Sequence, residues 1–582
     1  MNAPTAALGS TVPDTGDRLG RAGLSAALLA DEDALVTALI GAARFDTEDR
    51  HRIARVATKL VEAAREGRHA QGGIDSFLAE YGLSSEEGVL LLCLAEALLR
   101  IPDTATADRL IAGTIGSGDW AKHLGHSDSV LVNASTWGLM LTGHLLDWGG
   151  DKSGDLGARV QRLVARSGEP VIREAVHRAM RILGKQFVLG ETIQDALDNA
   201  AQDMRDGYRF SFDMLGEGAR TAGDAERYGR RYTAAVSAIA LHAGAPEART
   251  DETLHARSGL SVKLSALHPR YVAAQEPRLQ RELLPRVREL ALQMRDAWLP
   301  LTVDAEEAER LDLSLSIMEP LFADPALSNW NGLGLAVQAY SKRALPLIAW
   351  LAGIAEKTGR RIPVRLVKGA YWDSEIKWAQ EAGLAGYPVF TRKFNTDVAY
   401  LALARALLAR PDSFYPQFAT HNAHTIAAVA DLAGDAPYEF QRLFGMGAPV
   451  YRQVVEALQK PCRIYAPVGG HRDLLAYLVR RLLENGANTS FVHRLADDEA
   501  PIPAIVADPV EKAVRLPEKA NPAIPVPPDL YGSARRNSLG LPLWDDATRA
   551  PLLAAMSEVL DTPASAAPIV AGQEIDTADG MQ

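Results

Sequence analysis

The chain has 582 residues, 47% of them hydrophobic and 23% charged, with a formal net charge of -11. This is ordinary globular composition, long enough for more than one domain; an acidic chain without a basic cluster argues against nucleic acid as a partner. Two cysteines, Cys93 and Cys462, match no metal-ligand spacing, and so few point to a reducing compartment.

Residues 1–20 are rich in Pro, Gly, Thr and Asp, lack the basic start and apolar core of a signal peptide, and are expected to be disordered. Over residues 24–189 apolar positions recur at helical spacing, as in LSAALLADEDALVTALIGAARF and DRHRIARVATKLVEAAREG, so a helical arm and α-domain are expected over 21–190. The most apolar run, 129–149, contains Asn133, His144 and Asp147 and reads as a buried helix rather than a membrane span.

Near Tyr208 the pattern changes. Short strand-like runs alternate with helical stretches: FSFDML (210–215), LSVKLSA (260–266), LTVDAE (301–306), LGLAVQA (333–339), PVRLVKG (363–369), PQFATHN (416–422), YEFQRLF (438–444) and RIYAPVG (463–469). Eight strands separated by helices predict a (β/α)₈ barrel over 191–496. Buried parallel strands normally read as continuous apolar runs; these alternate. Phe210 and Phe212 interleave with Ser211 and Asp213, and Val262 and Leu264 with Lys263. Period 2 then sends the apolar set to the helices and Asp213, Lys263, Asp304, Gln338, Arg365 and Tyr465 to the axis. Such groups are costly to bury unpaired, so a polar ligand in the C-terminal mouth is expected, although Lys263 and Asp304 also read as a buried ion pair. Residues 497–582 begin as a Pro-rich connector of little periodicity, followed by one short helix near 547–560 and a tail expected to be flexible.

The stretch 462–492 turns through Pro467, Gly469 and Gly470 into a helix that places Tyr477, Arg480, Arg481 and Glu484 on one face. Two arginine forks beside a tyrosine suit a carboxylate; taken alone, the pattern also describes a solvated helix edge.

The motifs SFDMLGE (211–217), SVKLSALHPRY (261–271), VDAEEAERL (303–311), VRLVKGAYWDSEIK (364–377), ATHNAHT (419–425) and AYLVRRLLENGANTSFV (476–492) closely resemble the proline dehydrogenase module of the bacterial bifunctional enzyme proline utilization A. The resemblance implies a distorted barrel that binds FAD, oxidises L-proline to 1-pyrroline-5-carboxylate and passes electrons to a membrane quinone, in the cytoplasm with peripheral membrane contact. Arg480, Arg481 and Lys263 would neutralise the proline carboxylate, with Glu217 closing the arginine cluster. Tyr371, Tyr465 and Tyr477 would enclose the ring. Asp304 and Arg365 would be the catalytic pair, Arg365 near the central-ring nitrogen of the flavin. Asp304, Ala305, Gln338, Arg365, Val367, Lys368, Gly369, Ala370, Tyr371, Trp372, Thr420, His421 and Glu484 would contact FAD, and Thr391 and Lys393 would reach its ribose or pyrophosphate.

Full-length family members continue into an aldehyde dehydrogenase domain. RRNSLGLPLWDDATRAPLLAAM resembles the start of that half, so the chain is expected to stop before it, without the second oxidation. Some relatives begin with a ribbon–helix–helix DNA-binding segment; no such basic ribbon stands here, and no nucleic-acid partner is expected. The competing functions are oxidation of a related cyclic imino acid such as hydroxyproline, which the bulk of Tyr465 opposes, and a metal-dependent barrel hydrolase. His421 and His424 are spaced by three without an accompanying carboxylate set, so no metal is expected.

Overall fold

A computed structural model describes residues 20–67, 187–470, 477, 500–561 and 567–575. Eight parallel strands close into a barrel: β1 (Arg209–Met214), β2 (Gly259–Val262), β3 (Leu301–Val303), β4 (Leu333–Gln338), β5 (Ile362–Val367), β6 (Phe414–Ala419), β7 (Glu439–Leu443) and β8 (Cys462–Val468). β1 completes the ring, Ser211 lying opposite Gly259 on β2 and Tyr465 on β8.

All eight strands stand where the alternation placed them. The second and third end early: β2 stops at Val262 and the chain enters a helix at Leu264–Leu267, while β3 stops at Val303. Leu-Ser-Ala-Leu has no β-branched or aromatic residue to favour extension. The Ser265 amide is instead taken by the Glu306 carboxylate at 3.1 Å. The outward apolar set (Phe210, Phe212, Val262, Val303, Val337, Leu366, Phe418 and Ile464) is almost wholly buried, each side chain contributing roughly 1.5–3 kcal/mol. The helix Ala222–Ala243 shows how the outer layer forms. Thr221 and Asp224 make a reciprocal capping box at its start, and Ala225, Tyr232, Val236 and Ile239, three to four apart except across one turn, are buried along one face.

Three helices precede the barrel: α1 (Arg21–Ala27), α2 (Glu32–Ala43) and α3 (Thr47–Gly67). α2 packs on the helix Lys393–Leu408 and α3 on the helix Ala423–Ala433. The rest of the expected α-domain, from 68 to 186, lies outside the described residues. The Pro-rich connector differs from a plain linker. It forms helices at Ile502–Ile505 and Pro509–Arg515 and straps the barrel, with Arg50 paired to Glu511 and Tyr387 Oη donating to Pro525 O at 2.7 Å. The late helix spans Asp546–Asp561, and the tail expected to be flexible contains an antiparallel pair, Ile569–Val570 with Gln573–Glu574. Among the described residues no helix is long and apolar enough to cross a membrane.

The N-terminal end of the barrel is closed by a polar plug. Arg463 Nε and Nη2 lie 2.6 and 3.0 Å from the two Glu439 oxygens, and Gln417 and Gln441 donate to the same carboxylate. Both Glu439 and Arg463 are buried. Burial works to raise the Glu439 pKa, but Arg463 and Arg209 hold it down to about 2 against an ordinary 4.5. Its stabilisation, on the order of 3 kcal/mol, is therefore present above pH 4.5 and is lost as pH falls towards 2. Denaturation midpoints measured from pH 6 to pH 3 are expected to fall more steeply for the wild type than for Glu439→Gln; parallel slopes would remove this plug as the source of acid lability.

Candidate active site

Side chains on, or one residue past, five strands converge at the C-terminal end of the barrel. Lys263 Nζ lies 2.8 Å from Asp213 Oδ2 and 3.1 Å from Asp304 Oδ2. Arg365 Nη1 donates to Asp304 Oδ1 at 2.6 Å and its Nη2 to Ser211 Oγ at 2.9 Å. The Tyr465 hydroxyl sits 2.6 Å from Asp213 Oδ2 and 2.7 Å from Asp304 Oδ2 and accepts from Lys263 at 3.1 Å. Arg365 also stacks over the Tyr465 ring, 5.2 Å from its centre.

Asp213, Lys263, Asp304 and Arg365 are all buried, and their charges are set by one another. Burial opposes the Lys263 charge, but Asp213, Tyr465 and Asp304 outweigh it and keep the ammonium charged. Burial also works against Asp304, yet Lys263 and Arg365 pull its pKa below the usual carboxylate range. Asp213 goes the other way: burial, reinforced by the Asp304 charge, exceeds the pull of Lys263 and raises it. Asp213 is thus the member of the pair that takes up a proton first.

The expected ion pair between Lys263 and Asp304 is present. It also changes the place of Lys263. The ammonium has three protons, and three partners already surround it, so it braces the carboxylates and Tyr465. Asp213 belongs to the site with its neighbours. The inward alternation of SFDML was the signal, although the family motifs did not single it out.

A second cluster sits beside β3 and β4. Gln338 Nε2 donates to Glu306 O at 2.8 Å and its Oε1 accepts from Ala370 N at 3.3 Å, bridging the turns after β3 and β5. Glu306 pairs with Arg310 at 2.6 Å. Glu375 accepts from Ala308 N at 2.7 Å, and burial raises its pKa to about 7. Glu306 stands among several acidic residues and Glu375 two positions from Asp373, and only burial sets the two apart from their neighbours. A cleft of about 610 Å³, counting space open to solvent, lies between Asp304, Ala305, Glu306, Gln338 and Tyr340.

The expected cofactor contacts follow around the mouth. Val367 ends β5. Lys368 pairs with Asp397, and Gly369 has φ +140°, with a Cβ there meeting the Tyr340 ring at 2.5 Å. Only glycine suits that turn. Tyr371 precedes the helix Trp372–Glu381, and Trp372 Nε1 donates to Phe390 O at 2.8 Å. The His421 Nε2 accepts from Leu443 N at 3.2 Å, which puts the ring proton of a neutral imidazole on Nδ1. The Thr420 hydroxyl accepts from Asn422 N at 3.2 Å. Thr391 stands where α2 and the connector dock. Its amide and hydroxyl donate to Glu32, and the hydroxyl accepts from Asn521 N. Lys393 is exposed at the start of the next helix, and Glu217 is half-buried after β1, close enough to Lys263 to favour its charge. Tyr477 is buried; Arg480, Arg481 and Glu484 lie outside the described residues. Among the described residues no group of three or more His, Cys, Asp or Glu stands in a position to hold a metal ion.

Residues 196–494 match the family described as proline dehydrogenase, and residues 20–65 match the proline utilization A proline dehydrogenase N-terminal domain. Residues 73–187 match a family described as the DNA-binding domain of proline dehydrogenase. That match corrects the expectation of no nucleic-acid partner. A net charge averaged over 582 residues says nothing about one segment, and a missing basic ribbon excludes only one kind of DNA-binding element. The chain is 49% identical over 544 residues to the bifunctional protein PutA of Klebsiella aerogenes, covering 90% of this chain and 41% of that protein. It is 27% identical over 318 residues to proline dehydrogenase 1 of Bacillus subtilis, covering 54% of this chain and 90% of that one. A solved mutant of Bradyrhizobium japonicum proline utilization A superimposes with a TM-score of 0.71 at 44% identity, over 91% of this chain and 53% of the other. The chain thus spans about two-fifths of the length of the PutA protein of Klebsiella aerogenes. With a closed parallel barrel, a paired polar axis at its C-terminal end and more than half its residues matched, the chain belongs to the proline dehydrogenase family.

Proposed function

We propose that the barrel oxidises L-proline to 1-pyrroline-5-carboxylate with bound FAD, the electrons going on to a quinone at the membrane surface. The observation that carries this is the axis itself: a buried Arg365, held by Asp304 and Ser211 and set over the Tyr465 ring, fixes a positive charge at the C-terminal mouth. A fixed guanidinium suits a flavin ring nitrogen, which accepts hydrogen bonds and gains negative charge on reduction. Gly369, where a side chain would strike Tyr340, lets the chain turn tightly at the mouth and present the Ala370 amide to Gln338. Arg365, Gln338, Ala370, Trp372 and His421 would hold the group.

When bound, FAD supplies the hydride acceptor. The remaining work falls to the chain. Arg480 and Arg481 would clamp the substrate carboxylate. Tyr465, tied to Asp213 and Asp304, would fix the ring so that the CH₂ carbon beside nitrogen, not the carbon bearing the carboxylate, is presented for oxidation; that carbon loses a hydride and the nitrogen a proton. Because Tyr465 is anchored on both carboxylates, it does not swing aside for a hydroxylated ring. Arg365 offers a fixed positive charge where negative charge develops.

The purified protein is expected to be yellow and to bleach anaerobically with L-proline. A colourless protein, or a flavin spectrum indifferent to proline, would overturn the reading. No histidine or cysteine of the sequence stands in a known flavin-attachment pattern, and Cys462 is buried at the start of β8, at the end opposite the mouth. Acid precipitation should therefore leave FAD in the supernatant.

A further inference from the structure

Glu32, the first residue of α2, is 5% exposed although it is an ordinary surface residue by type. Its carboxylate accepts Thr391 N at 2.9 and 3.0 Å, Thr391 Oγ1 at 3.0 Å and Asn395 Nδ2 at 2.7 Å. Lys342 faces it as counter-charge and donates to Ala30 O at 2.8 Å. The connector closes the same knot. Asn521 N donates to Thr391 Oγ1 at 2.8 Å, Asn395 Nδ2 to Lys519 O at 2.9 Å, and Lys519 N to Asp33. Three segments remote in sequence meet around one buried carboxylate, whose desolvation the Thr391 and Asn395 donors and the Lys342 charge offset.

From the knot the bonding runs into the mouth. Next to Thr391, Phe390 N donates to Tyr340 O at 2.9 Å, and the Trp372 indole donates to Phe390 O at 2.8 Å. Lys342 N donates to Pro388 O at 3.1 Å. The Tyr340 ring is the surface against which Gly369 turns. A shift of the 388–391 backbone therefore moves the partners of Trp372 and of the Gly369 turn together.

We infer that Glu32 is a positioning residue for the cofactor side of the mouth: through Thr391 and Phe390 it sets Trp372 and the Gly369 turn, so the N-terminal helices and the connector govern flavin affinity without touching substrate. This rests on the proposed FAD site. The test uses the full chain, stripped of flavin and titrated with FAD by fluorescence quenching, with circular dichroism to confirm folding. The dissociation constant is expected to rise roughly ten-fold or more for Glu32→Ala and roughly three-fold for Glu32→Gln, which keeps one acceptor oxygen. The KM for proline at saturating FAD should stay within two-fold of wild type, roughly the scatter of such ratios.

A purely structural role would lower the melting temperature and leave the FAD affinity of folded protein unchanged; that result overturns the inference. If the wild type binds no FAD, the proposed function fails first. Should neither variant fold, Asn395→Ala, which removes the side-chain donor shared by Glu32 and Lys519 O, reads the same constant. It is expected to weaken FAD a few-fold, and unchanged affinity would overturn the inference.

Discussion

Asp304→Ala is expected to destabilise the barrel by roughly 3–5 kcal/mol, the usual effect of removing one partner from a buried ion cluster. That corresponds to a fall in melting temperature on the order of 10 °C for a domain of this size. Asp304 joins Arg365 through Oδ1 to Lys263 and Tyr465 through Oδ2. Without it Lys263 keeps Asp213 and Tyr465, while Arg365 loses its ion pair and keeps the Ser211 hydroxyl. The kcat/KM for proline should drop on the order of a hundred-fold or more, since Arg365 and Tyr465 lose a common support and each charge-assisted bond contributes about 1.5–3 kcal/mol. Asp213→Asn supplies the contrast. The Asp213 pKa is raised whereas that of Asp304 is lowered, so neutralising Asp213 should cost less stability than Asp304→Asn. Thermal melts and proline kinetics on the three variants check the order; equal losses for the two asparagine variants would contradict the assigned charges.

The second large effect concerns Arg480 and Arg481, placed by the sequence alone on one helical face with Tyr477. Arg480→Met should lower kcat/KM for proline by on the order of ten- to a hundred-fold, the loss of one charge-assisted bond to a carboxylate. Arg481→Lys keeps the charge and loses the fork, and should still damage binding. Flavin content should fall little for Arg480→Met, whereas Arg481, one turn from Glu484, is expected to show a mixed effect. Steady-state kinetics beside the flavin-to-protein ratio decide the matter: wild-type kcat/KM in both would make this helix a solvated edge and send the proline carboxylate elsewhere.

The architecture was legible in the chain because its signal is local. Eight short strand-like runs between helical stretches locate the strands, and period-2 alternation in the first five sends the polar set inward, so Asp213, Lys263, Asp304, Arg365 and Tyr465 are legible as axis residues. Strand ends were less legible at β2 and β3, where Lys263 and Asp304 leave the ladder to meet each other across the mouth. What no window of sequence contains is pairing at long range. That Lys263 is matched by two carboxylates, that Glu375 reaches Ala308, and that Glu32 is buried on Thr391 and Asn395 depends on closure of the barrel and on where α2 and the connector dock. Burial decides which charged residues become fixed partners and which remain solvated. Burial is a property of the folded whole: the residue type Glu is the same at Glu32 as on any exposed helix, and only the tertiary structure removes its water and makes its hydrogen bonds obligatory.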